Sequence, residues 1–488
     1  MTIPAADPNS ATVTGGLRTE ILVIGSGPGG AISAALLAEA GRKVLLVEEG
    51  PFLPLDSCAP FSIEEMVQKY RNGGLTPSMG QPKVAYVEGR CVGGGSEINS
   101  GLYHRTPPEI LERWSREFEL EAVDESSLAP LFAANESDVC VSYLPGTAPA
   151  ASLKLHQGAS TLGWKSLEVP RWFRYGANSP EGLPTGRRQT MTETFIPRFL
   201  AAGGHLLSDT RIWKLRRDGD RWTAVARDAF GQEVRIEAEV VFVCGGAIQS
   251  AALLRRSGIV DQIGNALQMH PTAKAVACFN YPVNQHGMGV PVHQVKEFSP
   301  EISLGCSISS PAYINLALLD HPAWLSEARR WEHHAVYYAM ISPSATGRIR
   351  NLPGFRDPLV TLSLLPSDRV RLATGLRHLC EALFASGASA IYPGLADCPR
   401  LRSADDLFRL PGSWTSKGSN LMTIHLFSSC PMGENRKRCA VNSFGKVFNQ
   451  PNLFLSDAST LCTAPGVNPQ GSVMAFARRN ALKFLGRL

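Results

Sequence analysis

No apolar run in the 488-residue chain reaches the roughly 18 residues a membrane-crossing helix needs, so stable membrane insertion is not expected. The first 18 residues are rich in Pro, Ala, Thr and Gly and nearly uncharged. They lack the apolar core of a signal peptide and read as a flexible arm. Charge of one sign is also scarce: 48 Lys and Arg against 43 Asp and Glu leave +5. The densest basic run, Arg436-Lys437-Arg438, reads as a solvated loop, so no nucleic-acid partner is expected. The eleven cysteines are odd in number and never spaced C-x-x-C. That pattern suggests neither a disulfide framework nor a metal centre, and reduced thiols point to a cytoplasmic location. Internal repeats and extended low-complexity tracts are missing too. What remains is a 44% hydrophobic chain, long enough for two domains with sizeable cores.

Residues 20–50 read as strand, glycine turn, helix, strand. Residues 21–24 are an apolar run rich in branched side chains, as in a strand buried on both faces of a parallel sheet. Gly25, Gly27 and Gly30 follow in G-x-G-x-x-G spacing. Such spacing permits a tight turn, close backbone approach to a pyrophosphate, and packing of helix on strand. An Ala-rich helix is predicted over 31–40, ended by Gly41, with its N-terminus presenting free N–H groups to the pyrophosphate. A second strand over 44–47 ends at Glu48, roughly 20 residues past the glycines, where such folds place a carboxylate on a ribose hydroxyl. Strand, turn, helix, strand and acid in this order predict a dinucleotide site.

The rest of the chain alternates in character. A helical stretch is expected near 63–70 and a Gly/Pro-rich loop over 73–82. Residues 89–105 hold Gly93-Gly94-Gly95 followed by Ser96 and Asn99, either a second cradle for a flat or phosphorylated ligand or a plain surface loop. Residues 139–185 are irregular and cluster Trp164, Trp172, Phe173 and Tyr175, which read as core or as a substrate wall. A helix near 193–202, strands over 204–215, 221–227 and 233–238, and a buried strand over 240–244 come next. Gly245-Gly246 then opens a helix running to Ser257. From 272 to 421, runs such as 335–341 and 359–365 predict an antiparallel sheet with one covered face, crossed by a helix over 370–385.

Four motifs in order carry a resemblance. Residues 89–99 are similar to the G-R-x-L-G-G-S-S-x-x-N signature of the glucose-methanol-choline family of FAD-dependent oxidoreductases, with Val92 for Leu and Gly95 for the first Ser. Trp114 sits where that family often has a Trp. Residues 246–260 resemble the family's second signature, departing at Ala251 and Val260, and Met269-His270-Pro271 resembles its closing His-Pro. Residues 425–433, 452–459 and 466–470 resemble H-x-x-G-T-C-x-M-G, N-L-x-V-x-D-A-S and the following N-P. Ser428 and Ser429 replace the usual Gly and Thr, and a Cβ at 428 conflicts with any need for positive φ there.

The resemblance implies an α/β fold: a Rossmann-like FAD-binding domain plus a substrate domain with an antiparallel sheet covered by helices. The expected segments are 17–140, 186–275 and 425–488 for the FAD-binding domain, and 141–185 and 276–424 for the substrate domain. It implies an FAD site formed by Gly25, Gly27, Pro28, Gly29, Gly30, Glu48 and Glu49, then Arg90, Gly93, Gly94, Gly95, Asn99, Ser100 and Gly101. Ile212, Gly245, Asp457, Ala458, Asn468, Pro469 and Gln470 complete it. Some members tether FAD through a His before the matching Asn; here that position is Ile98, so the flavin is expected to be non-covalent. In relatives the N-terminus of the last helix points at the flavin and would stabilise negative charge there.

Alcohol oxidation needs a base for the hydroxyl proton and an acceptor for the hydride. A histidine suits the first task and FAD the second. His425 matches the family's catalytic histidine, and Asn468 matches its second active-site residue, expected to hold the substrate oxygen. Asn before Pro is equally a good cap for the helix predicted over 469–483. The expected activity is oxidation of a small-molecule alcohol, primary and hydrophobic or aromatic, with oxygen, a quinone or a cytochrome as electron acceptor. The alternatives are non-redox chemistry on this scaffold, of hydroxynitrile lyase or photodecarboxylase type, and a flavin-binding protein without turnover.

Overall fold

The computed structural model describes residues 16–74, 76–178, 184–319, 321–322, 324–395, 398–415 and 421–488; most of the expected N-terminal arm lies outside them. Two sheets organise the chain. The first has seven strands: Arg211–Asp218, Arg221–Arg227, Glu233–Val243, Leu17–Ile24, Val44–Val47 and His205–Leu207 side by side, with Leu453–Leu455 also joined to Glu233–Val243. Leu17–Ile24 is parallel to both its neighbours. Its last four residues, Ile21 to Ile24, are buried on both faces, which is why they read as an unbroken apolar run. The strands expected separately over 233–238 and 240–244 are one strand, long enough to pair with two partners in different directions.

The helix Pro28–Glu39 follows the first strand and is buried nearly all round. It lies between the sheet and the C-terminal helix Gln470–Phe484, so small Ala, Gly and Ser side chains replace an amphipathic pattern. Its close seating requires glycine: a Cβ at Gly29 would fall 1.8 Å from the Ser456 carbonyl oxygen.

The second sheet has nine strands. Its order is Thr76–Pro77, Val84–Tyr86, Leu421–Thr423, Thr272–Cys278, His334–Ile341, Ile302–Cys306, His293–Val295 and Ser166–Glu168, with Ala390–Pro393 also on Thr272–Cys278. The helix Pro366–Ala385 covers one face. It begins four residues before the expected start, with Pro366 in its first turn and Asp368 accepting from the Leu365 amide. Two expectations fail. The run at 359–365 gives only Leu359–Thr361, paired with Arg348–Arg350 in a separate hairpin. The segment read as irregular holds the helix Ala150–Thr161 and the strands Ser166–Glu168, Arg171–Asn178 and Pro184–Arg188; its strands carry alternation too short to register. No helix among the described residues is long and apolar enough to cross a membrane.

Candidate active site

One cavity is walled by parts of the first sheet, the triple-glycine loop and the C-terminal motifs. Its lining includes Gly25, Gly27, Pro28, Gly29, Glu48, Glu49, Gly94, Gly95, Asn99, Ser100, Gly101, Ile212 and Gly245, and also His425, Asp457, Ala458, Asn468, Pro469 and Gln470. Gly30, Arg90 and Gly93 stand behind the wall. Gly30 packs on the Gly25 carbonyl, Arg90 faces Glu49 at 3.6 Å, and the Gly93 amide donates to Ser26 Oγ. Elements far apart in the chain, from residue 25 to residue 470, thus converge on one cavity.

The cavity fits FAD. Gly29 and Gly30 belong to a first helical turn, after the cap Gly27 and Pro28, whose N–H groups have no intrahelical carbonyl, the arrangement that receives a diphosphate. The triple-glycine loop crosses this turn so closely that a Cβ at Gly94 would lie 2.9 Å from the Gly27 Cα, while Gly95 meets nothing within 4 Å. Glu48 is fully engaged by protein. One oxygen accepts from the Ser26 amide and hydroxyl at 3.0 and 2.7 Å, and the other accepts from the Gly50 amide at 2.9 Å. Asp457 plays the same bracing part further on, accepting from the amides of Gly246 and Ser459 and from Ser250 Oγ. Burial raises the pKa of both acids, and these donors oppose the shift. Asn99 Nδ2 donates to Gln470 Oε1 at 2.7 Å, tying the glycine loop to the last helix.

Sequence reasoning missed the charged end of the cavity. Glu49 is held by Arg71 at 2.7 Å, Arg211 at 3.3 Å and Arg356 at 2.8 Å, and these arginines hold its carboxyl down at about 2 against the opposing effect of burial. Arg71, Arg211, Gln249 and Arg256 line the wall there. Arg71 and Arg211 come from separate stretches without a motif, and Gln249 and Arg256 share the helix Gly246–Arg256, whose signature did not mark them as charged or polar wall.

At the other end, His425 is buried on a short turn after Leu421–Thr423, its amide donating to Thr423 Oγ1. His425 Nε2 lies 3.2 Å from Asn468 Nδ2, and His425 Nδ1 lies 3.0 Å from His270 Nδ1. Asn468 Oδ1 accepts from Gln294 Nε2 at 3.2 Å, Gln294 Nε2 also reaches Tyr338 Oη at 2.9 Å, and Gln294 Oε1 faces His104 Nε2 at 3.1 Å. An amide nitrogen can only donate, so one direction satisfies the chain: Asn468 donates to His425 Nε2, and His425 Nδ1–H donates to His270 Nδ1. His425 therefore carries its lone pair on Nε2. Burial first, and the charge of Lys296 second, push its pKa down to about 3, so it is neutral near pH 7.

Asn468 does not cap the last helix. Gln470–Phe484 begins two residues later, with no side-chain cap, and the Asn468 side chain bonds His425 and Gln294 instead, with a second Nδ2–H left over. His270 comes from the His-Pro noted in the sequence; Gln294, an isolated polar residue on a strand, and His104, in an irregular stretch, had no signal that set them apart from surface positions. The aromatic group divides: Trp164, half-buried, packs on Phe298 and His378, whereas Trp172 borders the cavity.

The fold and site define a Rossmann-type flavin oxidoreductase. GMC oxidoreductase family models match residues 66–272 and 343–477, and a NAD(P)-binding Rossmann-like domain model matches residues 23–54. The chain is 40% identical to an uncharacterized GMC-type oxidoreductase of Sinorhizobium fredii (y4nJ), covering 95% of this chain and 94% of that one. It is also 24% identical to a long-chain-alcohol oxidase of Arabidopsis thaliana (FAO3), over 94% of this chain and 67% of that one. In structure it is similar to pyridoxine 4-oxidase from Mesorbium loti, with a TM-score of 0.73 at 19% identity over 96% and 99% of the two chains. The chain belongs to the GMC oxidoreductase family, and FAD is its cofactor.

Proposed function

We propose that the protein oxidises an alcohol to a carbonyl compound, with His425 as base and Asn468 as the group that holds the alcohol oxygen. FAD, when bound, accepts the hydride from the carbinol carbon, which is the redox half of the reaction. His425 Nε2 takes the hydroxyl proton as the C–H bond breaks and the C=O bond forms. The observation that carries this reading is the direction of the hydrogen bonds, which leaves a neutral imidazole whose one lone pair, on Nε2, faces Asn468 and not His270. His270 holds the ring from behind, and Gln294 fixes the Asn468 amide so that its N–H side faces the imidazole.

The substrate body is a primary alcohol of hydrophobic or aromatic character; Trp172, Ile98, Leu102 and Ile424 on the wall support this, as does similarity to long-chain-alcohol oxidases and to a 2-methyl-1,2-propanediol dehydrogenase of Mycolicibacterium austroafricanum. Ile98 stands where tethering relatives carry His, which supports a non-covalent flavin. The acceptor is oxygen, a quinone or a cytochrome. All eleven cysteines are free, which fits a reducing, cytoplasmic setting. Residues 17–140, 186–275 and 425–488 serve as cofactor domain, and 141–185 and 276–424 as substrate domain. Steady-state oxidation of aromatic and aliphatic alcohols by wild type and His425→Ala tests the reading. Equal rates in the two would overturn the role of His425.

A further inference from the structure

The second sheet presents alternate residues to opposite sides. On the covered side, Ile302 and Ala339 approach Gly375 of the helix Pro366–Ala385, at 3.2 and 3.3 Å from where its Cβ would be. Ser303 and Tyr338 therefore point the other way. The register extends that open face: Lys274 is opposite Tyr338, Tyr338 opposite Gly305, and Gly305 opposite Gln294, with Lys296 two residues beyond Gln294. Gln294 bonds Asn468, so this face is turned toward the catalytic pair. Lys274, Lys296, Tyr338 and His104 lie deep in the fold, yet each keeps some accessible surface.

Among the described residues neither lysine has a carboxylate partner. Lys296 Nζ donates to Ser303 Oγ at 2.9 Å, and Lys274 Nζ stands 6.0 Å from the centre of the Tyr313 ring. Burial alone pushes Lys296 down to about 7 and Lys274 to about 8. The groups near Lys296, His104, His270 and His425 with Gln294 and Asn468, bring no negative charge, and all three imidazoles feel its cation. An enclosed ammonium without a counterion is costly, and the cost is removed when an anion is brought in. Beside the base of the reaction, that anion arrives on the substrate.

We propose that the alcohol oxidised here carries a carboxylate, and that Lys296 receives it, with Lys274 a second cation on the same face of the sheet. The inference rests on the alcohol-oxidation reading for its chemistry, while the anion site stands on the two lysines.

The test uses FAD-loaded enzyme and matched pairs: 4-(hydroxymethyl)benzoate against its methyl ester, and 6-hydroxyhexanoate against its methyl ester. In at least one pair kcat/KM for the acid should exceed that for the ester by roughly tenfold or more, the range of a charge-assisted hydrogen bond. Lys296→Met should collapse this ratio toward one, and Lys296→Arg should retain part of it. An ester used as well as its acid in both pairs, or an acid preference that survives Lys296→Met, overturns the proposal. Benzoate and hexanoate titrated into the resting holoenzyme, read by perturbation of the flavin absorbance, test the site without turnover. Binding lost in Lys296→Met upholds the anion site even if no alcohol is oxidised; absence of binding in wild type, under the same conditions, overturns it.

Discussion

Ser428 holds a side chain where the backbone is left-handed, at φ 66°, and its buried hydroxyl has no hydrogen-bond partner. Both features cost stability, the first by about 1–2 kcal/mol and the second by the desolvation of an orphan hydroxyl. Family members carry glycine there, and the structure shows why: the turn after His425 brings the Ser428 amide to the Ala458 carbonyl at 3.1 Å. Ser428→Gly should stabilise the holoenzyme by about 1 kcal/mol, seen as a higher thermal unfolding midpoint with unchanged substrate range. A lower midpoint would show that the hydroxyl has a partner of value. His425→Ala should lower kcat/KM by about 10²–10⁴, the usual contribution of a positioned base, while FAD content at purification stays near that of wild type. Loss of the flavin together with the activity would place His425 in cofactor retention instead.

At the scale of elements, the crossing of the triple-glycine loop over the first helical turn fixes the diphosphate site. Gly94 has φ 55° and a Cβ there would press on the Gly27 Cα, so Gly94→Ala should yield folded protein with markedly less bound FAD, measured as the ratio of absorbance near 450 nm to that of protein. Full FAD occupancy in Gly94→Ala would show that the loop can retreat. The elements that build this crossing were legible beforehand, because a strand buried on both faces, a glycine-spaced turn and a small-residue helix each impose strong local composition. Val44–Val47 and Arg221–Arg227 fall on the expected residues. The short strands were not legible: Ser166–Glu168 and His293–Val295 are three residues each, held by neighbours distant in sequence rather than by their own pattern. Gln294 and Lys296 lie in and just after one of these strands, so the polar wall of the site stayed hidden while His425 and Asn468, embedded in a motif, did not.

The whole molecule closes around three neutral imidazoles. His104 and His270 are pushed well below the usual histidine range and His425 to about 3, each mainly by burial. In the unfolded chain these residues titrate near 6.5. Below that pH the unfolded state binds protons that the folded state refuses, so their contribution is complete above about pH 6.5 and is lost as pH falls toward the folded values, by about 1.4 kcal/mol per pH unit for each. His270→Gln removes one of them, and the drop in its unfolding midpoint between pH 7 and pH 5 should be smaller than in wild type. An equal drop would mean that His270 is protonated in the fold. The cofactor acts on the same equilibrium, because it binds only the folded chain: free FAD at a hundred times its Kd should stabilise apoprotein by about 2.7 kcal/mol. An apoprotein midpoint indifferent to FAD would remove the cavity as its site.

The most direct test of the central claim is anaerobic. The FAD-loaded enzyme is mixed with neutral aromatic and aliphatic alcohols and with the two hydroxy acids, and the oxidised-flavin band near about 450 nm is followed. Bleaching by an alcohol, at a rate cut at least about a hundredfold in His425→Ala, is the expected result. A flavin that stays oxidised with every alcohol, in protein that holds FAD, would contradict alcohol oxidation and turn attention to non-redox chemistry on this scaffold.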